Sequence, residues 1–195
     1  MLHHGKKVFI DCGSNIGQGL TLFKSIYNMD ESWIVEAFEP NPNLIRLLEY
    51  NTKDMPMSIN IYNQAVWDID GEVNFSIMME ESEGSSVNKL MDAGICADES
   101  SLAYRKHNTI ISVSCSNIST ILNRYSLEDY IVIKLDVEGS EFCIIRKMVA
   151  DNMIKMIKDL YVEWHTPLLS SENIESQNLL TQQILSEGIN LYPWH

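Results

Sequence analysis

The sequence predicts an α/β protein built on a doubly wound, mostly parallel sheet with an inserted β-hairpin and loop region. Three observations predict it. Short apolar runs bounded by turn residues alternate with segments of helical period, the first such run enters a glycine-rich turn that opens a helix, and one acidic stretch interrupts the alternation. With 195 residues, 45% of them hydrophobic and 21% charged, there is material for one sizeable core, so residues 1–195 are read as a single domain.

Residues 7–11 read as the first strand, and residues 17–27 as a helix burying Leu20, Phe23, Ile26 and Tyr27. Residues 33–38 form the second strand. Asn41 supplies an N-cap and Pro42 a first-turn residue for a helix burying Leu44, Leu47 and Leu48, and residues 58–66 follow as the third strand. Asp70-Gly71, set between Ala65-Val66-Trp67 and Val73-Asn74-Phe75, signals a hairpin. Residues 67–101 carry nine acidic residues and one Lys, with Ser82, Ser85 and Ser86 around Gly84, which marks a solvated insertion. The inserted region spans 67–115, and its part from about Glu80 to Lys106, long, polar and attached above the carboxyl ends of the strands, is expected to gate whatever binds there. The rhythm resumes with a strand at 109–115, a helix at 119–125, a strand at 130–136 and a helix at 141–149. Strands at 160–164 and 189–192, separated by a helix at 174–186, complete the chain.

Charge and cysteine usage exclude several classes. Acidic residues number 27 and basic ones 14, and a net charge of −13 repels a phosphate backbone, so nucleic acid is not expected as a partner. No apolar run approaches the ~20 residues that span a bilayer, and the first residues do not read as a signal peptide. Cys12, Cys96, Cys115 and Cys143 lie far apart without a Cys-x-x-Cys pair, which implies buried thiols and a reducing, cytoplasmic location.

The most informative stretch is Val8-Phe9-Ile10-Asp11-Cys12-Gly13-Ser14-Asn15-Ile16-Gly17-Gln18-Gly19. Gly13 and Gly17 permit a tight turn and close approach to a ligand, and Asn15 tolerates a left-handed backbone. The spacing G-x-N-x-G-x-G departs from the dinucleotide fingerprint, and no Gly-Lys-Ser/Thr ending supports a phosphate loop. Asp11 at the strand end suits a cofactor carrying an ammonium or sulfonium, as S-adenosylmethionine does. Glu39 ends the second strand 22 residues after Gly17, where a carboxylate accepts from both ribose hydroxyls of an adenosine cofactor, and Pro40 sets the turn beneath it.

Four motifs in order resemble the FkbM family of S-adenosylmethionine-dependent methyltransferases. They are Asp11-Cys12-Gly13-Ser14-Asn15-Ile16-Gly17, Glu36-Ala37-Phe38-Glu39-Pro40-Asn41-Pro42, Asn63-Gln64-Ala65-Val66, and Ile133-Lys134-Leu135-Asp136-Val137-Glu138-Gly139-Ser140-Glu141. The resemblance covers roughly residues 7–165 and is most specific in the last motif. It implies a Rossmann-like methyltransferase fold, O-methylation of sugars or small molecules, and a cofactor site including Asp11, Gly13, Ser14, Asn15, Gly17, Glu39, Pro40, Ala65 and Asp136. Two departures stand out: the chain begins at the first strand, and it ends soon after the last, so the usual final antiparallel strand is expected to be missing. A sheet edge left in that way suggests an oligomer.

Lys134, Asp136 and Glu138 share one strand parity, although the chain is expected to leave the strand near Asp136, which would aim Glu138 from a loop. Glu163 and His165 end the neighbouring strand, so Asp136, Glu138, Glu163 and His165 are expected to converge. Methyl transfer to a hydroxyl needs in-line approach and removal of a proton, and the catalytic candidates are Asp136, Glu138, His165 and Lys134. In the competing structural role, Lys134 pairs with Asp136 or Glu163 and holds the loop. A metal is not required by the pattern; if one is present, Asp136 and Glu163 would hold Mg²⁺ or Ca²⁺.

His3, His4 and His195 lie near the termini and read as solvated, as does His107 beside Arg105 and Lys106. The methionines read as packing, and Trp67 and Tyr104 either stack on a ligand ring or pack in the core. The expected partner is a glycan or small-molecule acceptor, with no membrane. Alternatives of another class are a nucleotide-dependent oxidoreductase, which Asp11 and Asn15 disfavour, and a cofactor-binding module without activity.

Overall fold

The computed structural model describes residues 5–79, 90–95, 109–165 and 174–194. Ten strands and five helices are described there, distributed over two sheets. The strands β1 (Lys7–Cys12), β2 (Trp33–Phe38), β3 (Ser58–Tyr62), β8 (Tyr130–Leu135), β9 (Ile157–Val162) and β10 (Asn190–Pro193) form a six-stranded sheet in the order β10-β9-β8-β1-β2-β3. Every pairing in it is parallel. The helices α1 (Gln18–Ile26), α2 (Ile45–Thr52), α4 (Glu141–Ala150) and α5 (Ile174–Ser186) lie between successive strands of this sheet in sequence. The winding reverses between β1 and β8, and such a switch point is where open α/β sheets bind ligands, outside the carboxyl ends of the strands.

Strand alternation divides the core. Val8, Ile10 and Cys12 of β1 pack with Ile133, Leu135 and the apolar residues of α4 and α5, while Phe9 faces the opposite way with Leu20, Phe23, Val35 and Val132. Phe23 anchors α1, with ring centroids 4.5 Å from Phe9 and 4.7 Å from Tyr161. Side chains of this size contribute about 1.5–3 kcal/mol each on burial. Ile26 and Leu47, expected in the core, are 49% and 50% exposed. Each is one position beyond the face its helix turns inward, and Leu20, Phe23 and Leu48 fill that face.

The second sheet corrects the expected topology. Its strands are β4 (Ala65–Trp67), β5 (Gly71–Met79), β6 (Leu90–Ile95) and β7 (Thr109–Asn117), in the order β4-β7-β5-β6. The strand expected at 58–66 is broken, because the Asn63 amide donates to the Glu39 and Pro40 carbonyls and the chain leaves the first sheet there. β7 lies in the second sheet, and β4 and β5 do not pair with one another: β7 runs between them, parallel to β4 and antiparallel to β5. The Asp70 carboxylate accepts from the Asn117 N–H and the Thr120 hydroxyl, so this turn ties β7 to α3 (Ile118–Leu122). The hairpin expected at Asp70-Gly71 therefore does not form, and the antiparallel neighbours in sequence are β5 and β6. Ala65 is buried with Phe75, Ile77, Val113 and Cys115, so its side chain packs in the second sheet's core.

Most of the expected gate at 80–106, with Cys96, Tyr104, Arg105, Lys106 and His107, lies outside the described residues, as do His3, His4 and His195. No helix among the described residues is long and apolar enough to cross a membrane. Cys12, Cys115 and Cys143 are free thiols.

Candidate active site at the carboxyl ends of β1, β2, β8 and β9

The loop after β1 is held by its own N–H groups. Gly13 and Ser14 donate to the Phe38 carbonyl at 3.0 and 2.9 Å, Asn15 to Glu39 at 2.8 Å, Ile16 to the Asn15 side chain at 2.7 Å, and Gly17 to the Ser14 carbonyl at 2.9 Å. Five consecutive donors are therefore engaged inside the protein, whereas a pyrophosphate cradle presents such groups outward. Gly13, Asn15 and Gly17 all have positive φ, at 85°, 49° and 89°. Only glycine suits the first of these: a Cβ there would meet the Asp136 carbonyl oxygen at 1.9 Å. The Ser14 hydroxyl donates back to the Asp11 carbonyl, which closes the turn.

Glu39 is 1% exposed, and its two carboxylate oxygens accept from the Asn15 N–H at 2.8 Å and the Asn41 N–H at 2.7 Å. It clamps the glycine loop to the turn after β2, and Pro40 continues that turn. The Asn41 side chain accepts from the Asn43 N–H within the turn before α2, whose N-cap is Leu44, so Asn41 does not cap the helix as expected and Pro42 lies ahead of its first turn.

Parallel register places Asp11 directly opposite Lys134, on the face toward α1. The Lys134 ammonium lies 3.1 Å from Asp11, 2.7 Å from the Gly13 carbonyl and 3.3 Å from Asp136. Burial opposes this charge, but attraction to Asp11 and then Asp136 outweighs it and holds the Lys134 pKa above its ordinary value. Asp11 is wholly buried and braces the loop through Lys134. Lys134 is 3% exposed and holds its neighbours in place.

Past β8, the chain turns through Glu138 and Gly139, with φ of 54° and 107°, which ends the strand parity before Glu138. Glu141, wholly buried at the start of α4, accepts from the Val137 and Gly139 N–H groups and binds His165 Nδ1 at 2.8 Å. His165 Nε2 lies 3.6 Å from Glu138 and 3.9 Å from Glu163. Burial would lower the His165 pKa, but the hydrogen bond and charge of Glu141, joined by Glu138 and Glu163, raise it to about 9. These surroundings favour the imidazolium, which pairs with the three carboxylates around it. The Glu163 pKa is raised by burial and then by Asp136, with which it shares a hydrogen bond.

The four expected residues do converge. Among the described residues, one oxygen of Asp136, one of Glu138 and one ring nitrogen of His165 lie within 4.8 Å of one another. The side chains of Asp136, Glu138 and Glu163 are 27%, 30% and 34% exposed, so this cluster, unlike Asp11 and Lys134, meets solvent. Cys143, by contrast, is pushed up to about 12 by burial and then by Asp68, and offers no thiolate at neutral pH.

Two further residues complete the site. Glu141 stood only as the last acid of the fourth motif, and its i+3 spacing from Glu138 across a glycine was the available signal. Trp194 carried no signal: its indole donates to Asp136 at 3.1 Å, lies 5.3 Å from the Lys134 ammonium and stacks on Phe23.

A family model described as "Methyltransferase FkbM domain" matches residues 11–184. No curated protein and no solved structure matches the chain.

Proposed function

Because the chain belongs to the FkbM methyltransferase family, whose model spans residues 11–184, we propose that it transfers a methyl group from S-adenosylmethionine to a hydroxyl oxygen of a sugar, glycan or small metabolite. The donor set fits that cofactor: the loop engages its N–H groups internally, a Cβ at Gly13 would fill the turn, and carboxylates end β2 and follow β8. Glu39 serves the ribose hydroxyls from the end of β2, with both oxygens already oriented by Asn15 and Asn41. When bound, S-adenosylmethionine supplies an electrophilic methyl on a sulfonium centre.

The single observation that carries the reading is the contact between the glycine loop and Asp136. The Asp136 N–H donates to the Cys12 carbonyl at 3.1 Å, and Lys134 touches Gly13 and Asp136 together. A cofactor seated on the loop thus has the Asp136 cluster beside it. Asp136, held by Lys134 and Trp194, accepts the hydroxyl proton on its carboxylate as the oxygen approaches the methyl at roughly 3 Å. His165, held by Glu141, keeps the exposed carboxylates Glu138 and Glu163 in place around the acceptor.

Labelled S-adenosylmethionine with a panel of nucleotide sugars and glycan fragments tests the reading. O-methylated product is expected, with turnover at least ~100-fold lower in Asp136→Asn and cofactor affinity within a few-fold. Product methylated on nitrogen or carbon, or full turnover in Asp136→Asn, would overturn it.

A further inference from the structure

We propose that Asp136, Glu138 and His165 bind one divalent transition-metal ion, with Glu163 as an adjoining donor, and that this ion polarises the acceptor hydroxyl. The inference rests on the reading that this cluster meets the acceptor. Three donors from two segments gather within 4.8 Å of one another: Asp136 and Glu138 from the turn after β8, and His165 beyond β9. The set differs from the Asp136 and Glu163 pair read from sequence, because the Glu138 backbone and the path after β9 bring a nitrogen donor to the same point.

The independent observation is the carboxylate that orients the imidazole. Glu141 is not one of the three donors; it is wholly buried, anchored by two backbone N–H groups, and binds Nδ1 at 2.8 Å. A carboxylate on one ring nitrogen sets the tautomer and leaves the other for a metal, which is how metal-binding histidines are oriented. His165 Nε2 is the atom that faces Glu138 and Glu163. Imidazole beside carboxylates favours an ion such as Mn²⁺, Fe²⁺ or Zn²⁺ over Mg²⁺ or Ca²⁺, which prefer oxygen alone. On binding, Nε2 releases its proton to solvent and ligates, while Nδ1 donates to Glu141. The ion would then lower the pKa of a bound hydroxyl, whose proton passes to the Asp136 oxygen that does not ligate.

Mn²⁺ titration of the full chain, followed by electron paramagnetic resonance without cofactor or acceptor, tests the site. One equivalent of bound Mn²⁺ is expected, with affinity reduced at least ~10-fold in His165→Ala and in Glu138→Gln, and largely retained against excess Mg²⁺. Both substitutions lie at partly exposed positions, and circular dichroism checks that each variant is folded. No binding, or several weak sites unaffected by either substitution, would overturn the proposal. Mn²⁺ binding with no methyl transfer would refute the reaction and keep the site. Full methyl transfer in the presence of a chelator would refute the site's role and keep the reaction.

Discussion

Lys134 is the residue on which the site's electrostatics turn, because it neutralises a carboxylate that water cannot reach. Lys134→Met leaves Asp11 charged and wholly buried, and a loss of about 3–5 kcal/mol is expected in urea unfolding. The double variant Lys134→Met/Asp11→Asn removes both charges and is expected to recover a large part of that loss; a double variant as unstable as the single one would mean the pair is not the cause. Glu39→Ala deletes the acceptor for two loop N–H groups and is expected to weaken S-adenosylmethionine binding by about 1–3 kcal/mol, with the sheet still folded. Cofactor affinity equal to the parent's would reduce Glu39 to a turn residue. The strand-end position of Asp11 and Glu39 was legible in the sequence, since each follows a short apolar run. Their partners were not: Asp11 meets Lys134 across 123 residues, by a register that no local pattern encodes.

At the scale of elements, Asp129 shows how a strand's start is secured. It is 5% exposed and accepts from the Lys6 N–H at 2.7 Å and from the N–H and hydroxyl of Ser126, so it ties the start of β1 to the turn before β8. Burial opposes its charge, but these donors outweigh it and hold its pKa below the ordinary carboxylate value. A pKa lower in the folded than in the unfolded chain gives stability that is present above the ordinary value and lost as pH falls through the folded one. Asp129→Asn is therefore expected to cost about 1.5–3 kcal/mol at neutral pH, with the gap to the parent closing below about pH 4 in thermal melts. A gap that stays constant to low pH would contradict the charge argument. Periodicity located most elements well, β2 and α5 at the expected residues, because their apolar spacing is regular. It could not assign β7 to its sheet: Thr109–Asn117 reads as a strand either way, and pairing with β5 depends on a segment over thirty residues earlier.

At the scale of the whole molecule, the six-stranded parallel sheet brings the glycine loop and the acidic cluster to the carboxyl ends of its strands, and the chain enters the second sheet at β4 and leaves it at β7. The parallel winding was legible from the alternation of strand and helix. The four-stranded arrangement was not, because β4 to β7 pair out of sequence order. A net charge of −13 makes an anionic ligand costly unless the loop supplies donors, and the N–H groups of residues 13–17 are already engaged. The same arrangement suits a sulfonium-bearing cofactor. Titration calorimetry of the full chain against S-adenosylmethionine, its demethylated product and NAD compares these directly. The expected result is saturable binding of the first two and none of NAD; NAD binding with equal or higher affinity would contradict the account.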